Sequence, residues 1–570
     1  MKLNRQVEGI GPMDAKLMII GEALGADERI KGKPFIGWSG QFLQEMCERA
    51  GLSWNTMRID NVVQYQPDKN DFRGFYNDKG QREPTEELRQ WWDDLYSRIN
   101  IVKPKVIIAA GDQPLYALIG HKGSTSWRGS VVQSTIGDHT CFVIPIVHPS
   151  YARRCYNMTS SKMKDARQPW FHISVFDLMK AKKVSDEGWT PKIRTEKIFP
   201  TYIEVMEYLE ELKSMPAETS ITIDIETLRR EYVKCIGLTH RDDYAMCIPF
   251  VANTSGQSYY PLNQEAEIWK GLDSVLNSHF VNGQTVGFDC SYLDRDIGLW
   301  FTDNLYIDTA ILHSLLYPEL KHDLGFLASM YTDMSYFKYL GRGNEAKTNV
   351  AQTYSYNCQD VMSTHEIAMA LKAEAIEANM WDYYLTKRLP LAKWAIRQHR
   401  KGISIDESRR NEIIQRVYYE DIKPKHDIFN EALKECGYPL GQLTKTYIDK
   451  FEGLSLEYNV DETFNVKSPQ QVVNLLRSLG YNIKDSSEET LALIANESVV
   501  ARTILDLRSD YSLLSAISRP TDGDNKFRTS INLHVTETTR LSSTKSHFGS
   551  GSNIQNVTRK ARPLFTGDYE

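Results

Sequence analysis

The sequence predicts a multidomain α/β protein whose last third is mainly helical. Three observations carry this. Between Lys16 and about Arg154, apolar strand-like runs alternate with amphipathic helices, the pattern of a mostly parallel sheet covered by helices. Further on, ITIDIET at 221–227 alternates isoleucine with acid or threonine, as a strand with one buried face does. From Leu389 to Gly437 the chain reads as long amphipathic helices closed by a glycine. The length of 570 residues suggests about four domains.

Composition narrows the class. Charged residues make up 25% and hydrophobic residues 41%, which is enough apolar material for ordinary globular cores. No run approaches the roughly 18 apolar residues of a membrane span. MKLNRQVEGIGPMDAK lacks the apolar centre of a secretory signal. The eight cysteines are scattered without a CxxC pair, which argues for a reducing, cytoplasmic setting and against a zinc ribbon or disulfide framework. A net charge of −6 does not advertise a nucleic-acid partner, but such binding follows local basic grooves rather than the total. One basic stretch runs from Tyr151 to Lys197, with Arg153, Arg154, Lys162, Lys164, Arg167, Lys180, Lys182 and Lys183. It reads as a solvated linker helix or as a phosphate-contacting surface.

Taken in order, KLMIIGEALGADE is a strand entering a glycine turn, and SGQFLQEMCERAGL is a helix ended by Gly51. RIDNVVQYQP, KPKVIIAAGDQPLYALIG and CFVIPIVHPS supply further strands. Sites on such sheets lie at the carboxyl ends of the strands, where the polar residues of these strings fall. The strings GEALGADERIKGKPFIGWSGQFL, NVVQYQPDKN, AAGDQPLYALIG, SWRG and IVHPSYARR together resemble the uracil-DNA glycosylase superfamily, family 4 and 5 branch. The resemblance implies a parallel-sheet sandwich over 1–154 and assigns roles by position. Glu22 and Glu28 fall in the water-activating and phosphate-side motif, and Phe35 stacks on a flipped base. Asn61 opens the second motif, Asn70 reads the Watson–Crick edge of uracil, and His148 stabilises charge on the departing base. The chemistry is coherent. A base must leave the stack to be cut out, and an anionic leaving group needs a donor. Family 4 members hold an iron-sulfur cluster with four cysteines. Here Tyr65 and the Trp91-Trp92 pair stand near two of those places, so no cluster is expected, and Leu24 replaces a proline of the first motif. Two readings follow, an active glycosylase and a non-catalytic DNA-binding or uracil-sensing module.

After the basic linker, expected over 155–215, Asp224 and Glu226 share one face of the ITIDIET strand, and Ile221, Ile223 and Ile225 face a core. Asp289 in GQTVGFDCSYL and Asp360 in YSYNCQD add carboxylates from distant segments. Four such groups make an oxygen cage for two hard divalent cations, suited to in-line displacement at phosphorus. The order resembles the DnaQ-like 3'-5' proofreading exonucleases of family A DNA polymerases, with an RNase H-like fold expected over 216–380. Asp224 and Glu226 match the first motif, Asp289 the second and Tyr356 with Asp360 the third. Thr285 stands where the family usually has Asn. The resemblance implies that Asp224, Glu226, Asp289 and Asp360 hold two Mg2+ or Mn2+ ions and that Tyr356 orients the attacking water. YSYNCQDVMSTHEIAMALKAEAIEA has helical spacing and no Pro or Gly.

In the last segment, expected as 381–570, FNVKSPQQVVNLLRSLG resembles a phrase of the family A polymerase thumb. RLSS followed by NIQN and Arg562 resembles their next landmark. By that resemblance Arg540, Ser542, Ser543, Asn553, Gln555, Asn556 and Arg562 position a primer-template duplex without reading its sequence. Thr539 replaces the usual Gly. The chain stops before the catalytic palm strand; Asp568 and Tyr569 come too soon after Arg562 to supply it. The expectation is therefore a fragment of a phage-like replicative polymerase, unable to add nucleotides alone, with DNA as its partner. Palm and fingers would come from a second polypeptide. The alternatives are a stand-alone nuclease similar to RNase D, or the DNA-binding subunit of a split polymerase.

Overall fold

The structure is a computed structural model. It describes residues 6–156, 168–341, 349–437, 445–451, 454–460, 464–518, 521–557 and 561–566. The expectations placed on Lys162, Lys164, Arg167, Asp568 and Tyr569 lie outside these residues. The chain divides into two compact units, one of residues 1–393 with 533–540, the other of residues 394–532 with 541–570.

The first unit holds two sheets. Strands β1 (Leu17–Ala23), β2 (Arg58–Val63), β3 (Val106–Ala110), β4 (Val132–Ile136) and β5 (His139–Ile146) lie in the order β2-β1-β3-β5-β4. All are parallel except the edge strand β4. Met18, Ile19 and Ile20 of β1 are all buried because helices cover both faces, so this strand reads as an apolar run rather than an alternation. Leu88, Leu95 and Ile99 of helix Glu86–Val102 pack with Met18, Ile20 and Ile107 on one face. Ile19 and Ile108 pack on the other with Leu43, Phe171 and Leu178, from helices Trp38–Arg49 and Trp170–Glu187. The chain moves from β1 to one side and then, at β3, to the other. That reversal opens a crevice at the carboxyl ends of β1 and β3.

The second sheet contains β6 (Thr195–Lys197), β7 (Ser220–Leu228), β8 (Tyr232–Thr239), β9 (Tyr244–Pro249), β10 (Phe280–Gly283) and β11 (Leu305–Asp308), in the order β11-β10-β7-β8-β9-β6. β8 runs antiparallel to β7 and to β9. Helix Val350–Glu377 lies against it, burying Tyr354, Cys358, Val361 and Met362 with Cys235, Ala245 and Cys247. Asn349 caps that helix, accepting from the Gln352 N–H at 3.3 Å.

The described part of the span expected as a linker, 168–215, packs into the two sheets. Helix Trp170–Glu187 buries Phe171, Leu178, Ala181 and Val184 in the core of the first sheet, and β6 pairs with β9 in the second. Lys180 is also inward-facing, donating to the Gly129 and Ser329 carbonyls at 3.0 and 2.7 Å. Basic residues between the apolar positions had masked a helix with a buried face.

In the second unit, helices Glu407–Arg416, Lys423–Glu435, Pro469–Ser478, Glu488–Ile494 and Val499–Ile517 share one apolar core around Ile413, Leu433, Leu476, Leu491 and Leu507. Gly437 follows the second of these at φ +71°, the left-handed turn that ends many helices. The phrase FNVKSPQQ proves to be a helix start. Ser468 caps, Pro469 takes the first turn and Gln471 Oε1 accepts the Asn465 N–H at 2.6 Å. Among the described residues no helix is long and apolar enough to cross a membrane.

Candidate functional site

Two clusters of polar side chains stand out, one on each sheet of the first unit. On the second sheet, the pleat of β7 places Asp224 and Glu226 on one face, while Ile221, Ile223 and Ile225 are buried on the other. Helix Val350–Glu377 crosses that acidic face and contributes Asp360. Carboxylate oxygens of Asp224, Glu226 and Asp360 lie within 4.8 Å of one another. Asp289, in the first turn of helix Gly287–Ile297, reaches the same strand, where its Oδ1 accepts the Ile225 N–H at 2.9 Å. All four predicted carboxylates are thus gathered at β7.

Two residues absent from the sequence reading complete this site. Asn357, fully buried, donates from Nδ2 to Asp224 Oδ2 at 2.8 Å and to the Asp224 carbonyl at 3.0 Å, fixing that carboxylate. Its signal was an amide inside an apolar helix, next to Tyr356. Lys338 Nζ sits 2.8 Å from both oxygens of Asp360 and 4.4 Å from the centre of the Tyr356 ring. No spacing rule pointed to it. The Tyr356 phenol lies in the same cluster, where burial and then Asp360 hold its pKa well above the ordinary range.

Like charges in a confined place are hard to ionise together. Burial, then Asp360, Asp289 and Glu226, hold Asp224 well above the usual carboxylate range. Burial and Asp360 push Glu226 up to about 7, against Lys338 and Lys234. Burial pushes Asp289 up to about 8. Asp360 is raised by burial and eased by Lys338 and Tyr356. An all-oxygen set of this kind fits hard divalent cations, which would relieve the repulsion.

Thr285 precedes this helix at φ +57°, a backbone conformation that suits Asn far better than a β-branched residue. Asp308 compensates. Its carboxylate accepts from the Thr285 and Val286 N–H groups at 3.3 and 3.0 Å and caps helix Thr309–Leu316.

The second cluster lies in the crevice of the first sheet. Gly21 of β1 is bare by necessity. A Cβ there would meet Phe35 Cζ and Asn61 Oδ1, each at 2.4 Å. The ring and the amide therefore share the space over Gly21. Glu22 follows, with its pKa pushed up to about 7 by burial and then by Asp112. His148 lies against Gly111, where a Cβ would come within 2.8 Å of its Cδ2. The Ser150 N–H points at His148 Nδ1 at 3.1 Å, so the ring carries its proton on Nε2. Burial, then Arg154, lowers this histidine to about 4, leaving it neutral.

Residues 8–172 match the model of a family described as the uracil DNA glycosylase superfamily. The Type-4 uracil-DNA glycosylase of Thermotoga maritima is 34% identical over 159 residues, which are 27% of this chain and 76% of that protein. The chain belongs to the uracil DNA glycosylase superfamily through this N-terminal domain. The Type-4 enzyme of Pyrobaculum aerophilum is 39% identical over 165 residues, 28% of this chain and 79% of the relative. The whole chain is also similar to a DNA polymerase of Bacillus phage SP01. They are 21% identical over 647 aligned positions, covering 99% of this chain and 65% of that protein. A solved structure titled "POL domain of Pol1 from M. smegmatis complex with DNA primer-template and dNTP" superposes with a TM-score of 0.43 at 17% identity. It covers 65% of this chain and 57% of that one, too loose a match to define the fold.

Within the glycosylase-superfamily domain the two predicted amides sit differently. Asn70 is exposed at φ +57°, and its Oδ1 accepts from Gln66 Nε2 at 2.7 Å. Asn61 is the buried amide beside Phe35. Glu28 is also buried, and its carboxylate accepts the Gly25 N–H at 2.6 Å, closing the turn that starts helix Ala26–Lys31. Leu24 donates its N–H to the Tyr65 carbonyl at 3.4 Å, a bond proline could not make. Tyr65 packs against Trp91 and Phe75 with ring centres 5.7 and 5.8 Å apart. Aromatic packing thus fills the neighbourhood assigned to cluster cysteines.

The expected duplex-contacting residues divide. Arg540 and Arg562 are exposed. Ser543 donates to Asn553 Oδ1 at 2.5 Å, which also accepts the Gln555 N–H at 2.9 Å, and Gln555 Nε2 donates to the Leu541 carbonyl at 2.9 Å. These groups therefore bond one another, tying strand Ser542–Lys545 to the turn Ile554–Asn556. The Ser542 hydroxyl is buried with no hydrogen-bond partner among the described residues. The Asn556 side chain lies outside the described residues.

Proposed function

We propose that this chain is part of a DNA polymerase with a metal-dependent 3'-5' proofreading exonuclease and a base-excising or base-sensing glycosylase-superfamily domain. The observation that carries the exonuclease is the convergence of Asp224 and Glu226 of β7 with Asp360 of helix Val350–Glu377, their carboxylate oxygens within 4.8 Å of one another. These residues, with Asp289, would hold two Mg2+ or Mn2+ ions, which supply charge stabilisation and an activated water for phosphodiester cleavage. Asn357 keeps Asp224 aimed into the site. Tyr356, beside Asp360, would orient the attacking water through its hydroxyl. The family A resemblance and the phage polymerase relative support DNA as substrate, with primer-template duplex as the ligand of the thumb-like region. The test is digestion of a 5'-labelled single strand with Mn2+. Asp224→Ala with Glu226→Ala should abolish it, and unchanged digestion would reject the site.

The crevice over Gly21 favours a second activity. Phe35 offers a stacking face to an extruded base, and the Asn61 amide can accept from uracil N3–H and donate to O4. Glu22, poised near neutrality, is suited to take a proton from water, and the Nε2–H of neutral His148 to donate to the departing base. Excision is measured on a uracil-containing strand in EDTA, which silences the nuclease, followed by alkali. Asn61→Ala should remove cleavage while Asn70→Ala keeps most of it; the reverse order would return the reading role to Asn70. A chain that binds DNA without cutting would reduce the domain to a sensor.

A further inference from the structure

Lys338 belongs to no motif, yet it is the ammonium that bridges both oxygens of Asp360. It lies on a strap, residues 332–341, whose other side is fastened to the glycosylase-superfamily domain. The Tyr336 N–H donates to Ser130 Oγ, and Ser335 Oγ donates to the Val131 carbonyl, each at 2.9 Å. Trp127 stacks on Tyr339 at 5.5 Å and 25° and meets Tyr336 edge-on at 5.5 Å. Just before the strap, Arg128 donates to Ser329 Oγ at 2.9 Å. Lys338 therefore faces the carboxylates, with Phe337 beside the Tyr356 ring at 6.0 Å, while Tyr336 and Tyr339 face the neighbouring domain.

We propose that Lys338 is a tethered cation that occupies part of the divalent-cation site, held there by the glycosylase-superfamily domain through Trp127–Val131. This rests on the exonuclease reading. An ammonium on Asp360 supplies charge that a metal would otherwise bring, and a metal taking Asp360 as ligand must displace it. Metal loading then requires the strap to move, and whatever loosens Trp127 raises metal affinity. By linkage the effect is reciprocal, so metal in one domain loosens the contact with the other.

The test is calorimetric titration of the DNA-free full chain with Mn2+. Lys338→Gln should bind about tenfold more tightly, since the competing state is gone. Lys338→Arg keeps the cation and should stay within about twofold of wild type. Trp127→Ala, remote from the carboxylates, should tighten binding by a smaller factor. Wild-type or weaker affinity in Lys338→Gln, with unfolding unchanged, overturns the competition. Tightening in Lys338→Gln but none in Trp127→Ala overturns the role of the neighbouring domain. Absence of Mn2+ binding in both wild type and Lys338→Gln would instead remove the metal site itself, and with it the exonuclease.

Discussion

Binding a divalent cation to this site should expel protons, and the structure sets how many. Burial raises Glu226 to about 7 and Asp289 to about 8. At pH 7 the first is about half protonated and the second about nine-tenths, so a metal that needs both ionised releases about 1.4 protons. At pH 9 the same two groups hold only about 0.1 proton. Asp224 and Asp360 are shifted the same way and add to the release. Calorimetry with Mn2+ in two buffers of different ionisation enthalpy counts the protons directly. Release under about 0.3 at pH 7 would refute the electrostatic picture of a crowded, cation-starved cage. The sign for stability follows from the same shifts. A carboxyl raised in the folded state stabilises the metal-free protein below its unfolded pKa and loses that contribution as pH rises through its folded value. The rise of Glu226 from 4.5 to about 7 corresponds to about 3 kcal/mol lost between those values. Metal-free unfolding should therefore become easier from pH 5 to 8, and Asp224→Asn with Glu226→Gln should flatten that slope.

Three further outcomes are expected. If Glu22 is the base, uracil excision should rise with pH through about 7, while His148, lowered to about 4, adds no limb between pH 5 and 8; a rate flat across pH 7 would remove Glu22 from that role. Arg128→Met should destabilise the first unit by about 3–5 kcal/mol in urea, because it strands Asp177 in the interior. Adding Asp177→Leu should recover most of the loss, and additive losses would show that the pair is not the cause. Thr285→Asn should stabilise by about 1 kcal/mol, since Asn tolerates the left-handed backbone there, and a net loss would show that the threonine side chain makes contacts of its own.

Much of this molecule was legible in one dimension. The period of two in ITIDIET marks a strand with acids on one face, and the unbroken helical spacing of 354–378 marks the helix that carries Tyr356 and Asp360. The strings GEALG, NVVQYQP and IVHPS fall at strand ends, where an α/β sheet keeps its sites. These are local facts, because the side-chain period of an element is written in its own residues.

What the sequence left open were the partners. Asn61 and Asn70 are both amides near one strand end. Only the folded chain turns one over Gly21 and the other to solvent. The basic stretch reads as a linker because exposed and partly buried lysines are written with the same letter, and Lys180, half-buried, donates to a carbonyl 149 residues away. Lys338 meets Asp360 only because a strap fastened to another domain carries it there. Periodicity states which face of an element is hidden, while the identity of what hides it is set by packing between segments far apart in the chain. The sequence by itself thus determined the strands, the helices and the acids of the cage; the tertiary structure decided which amide, which lysine and which domain complete the sites.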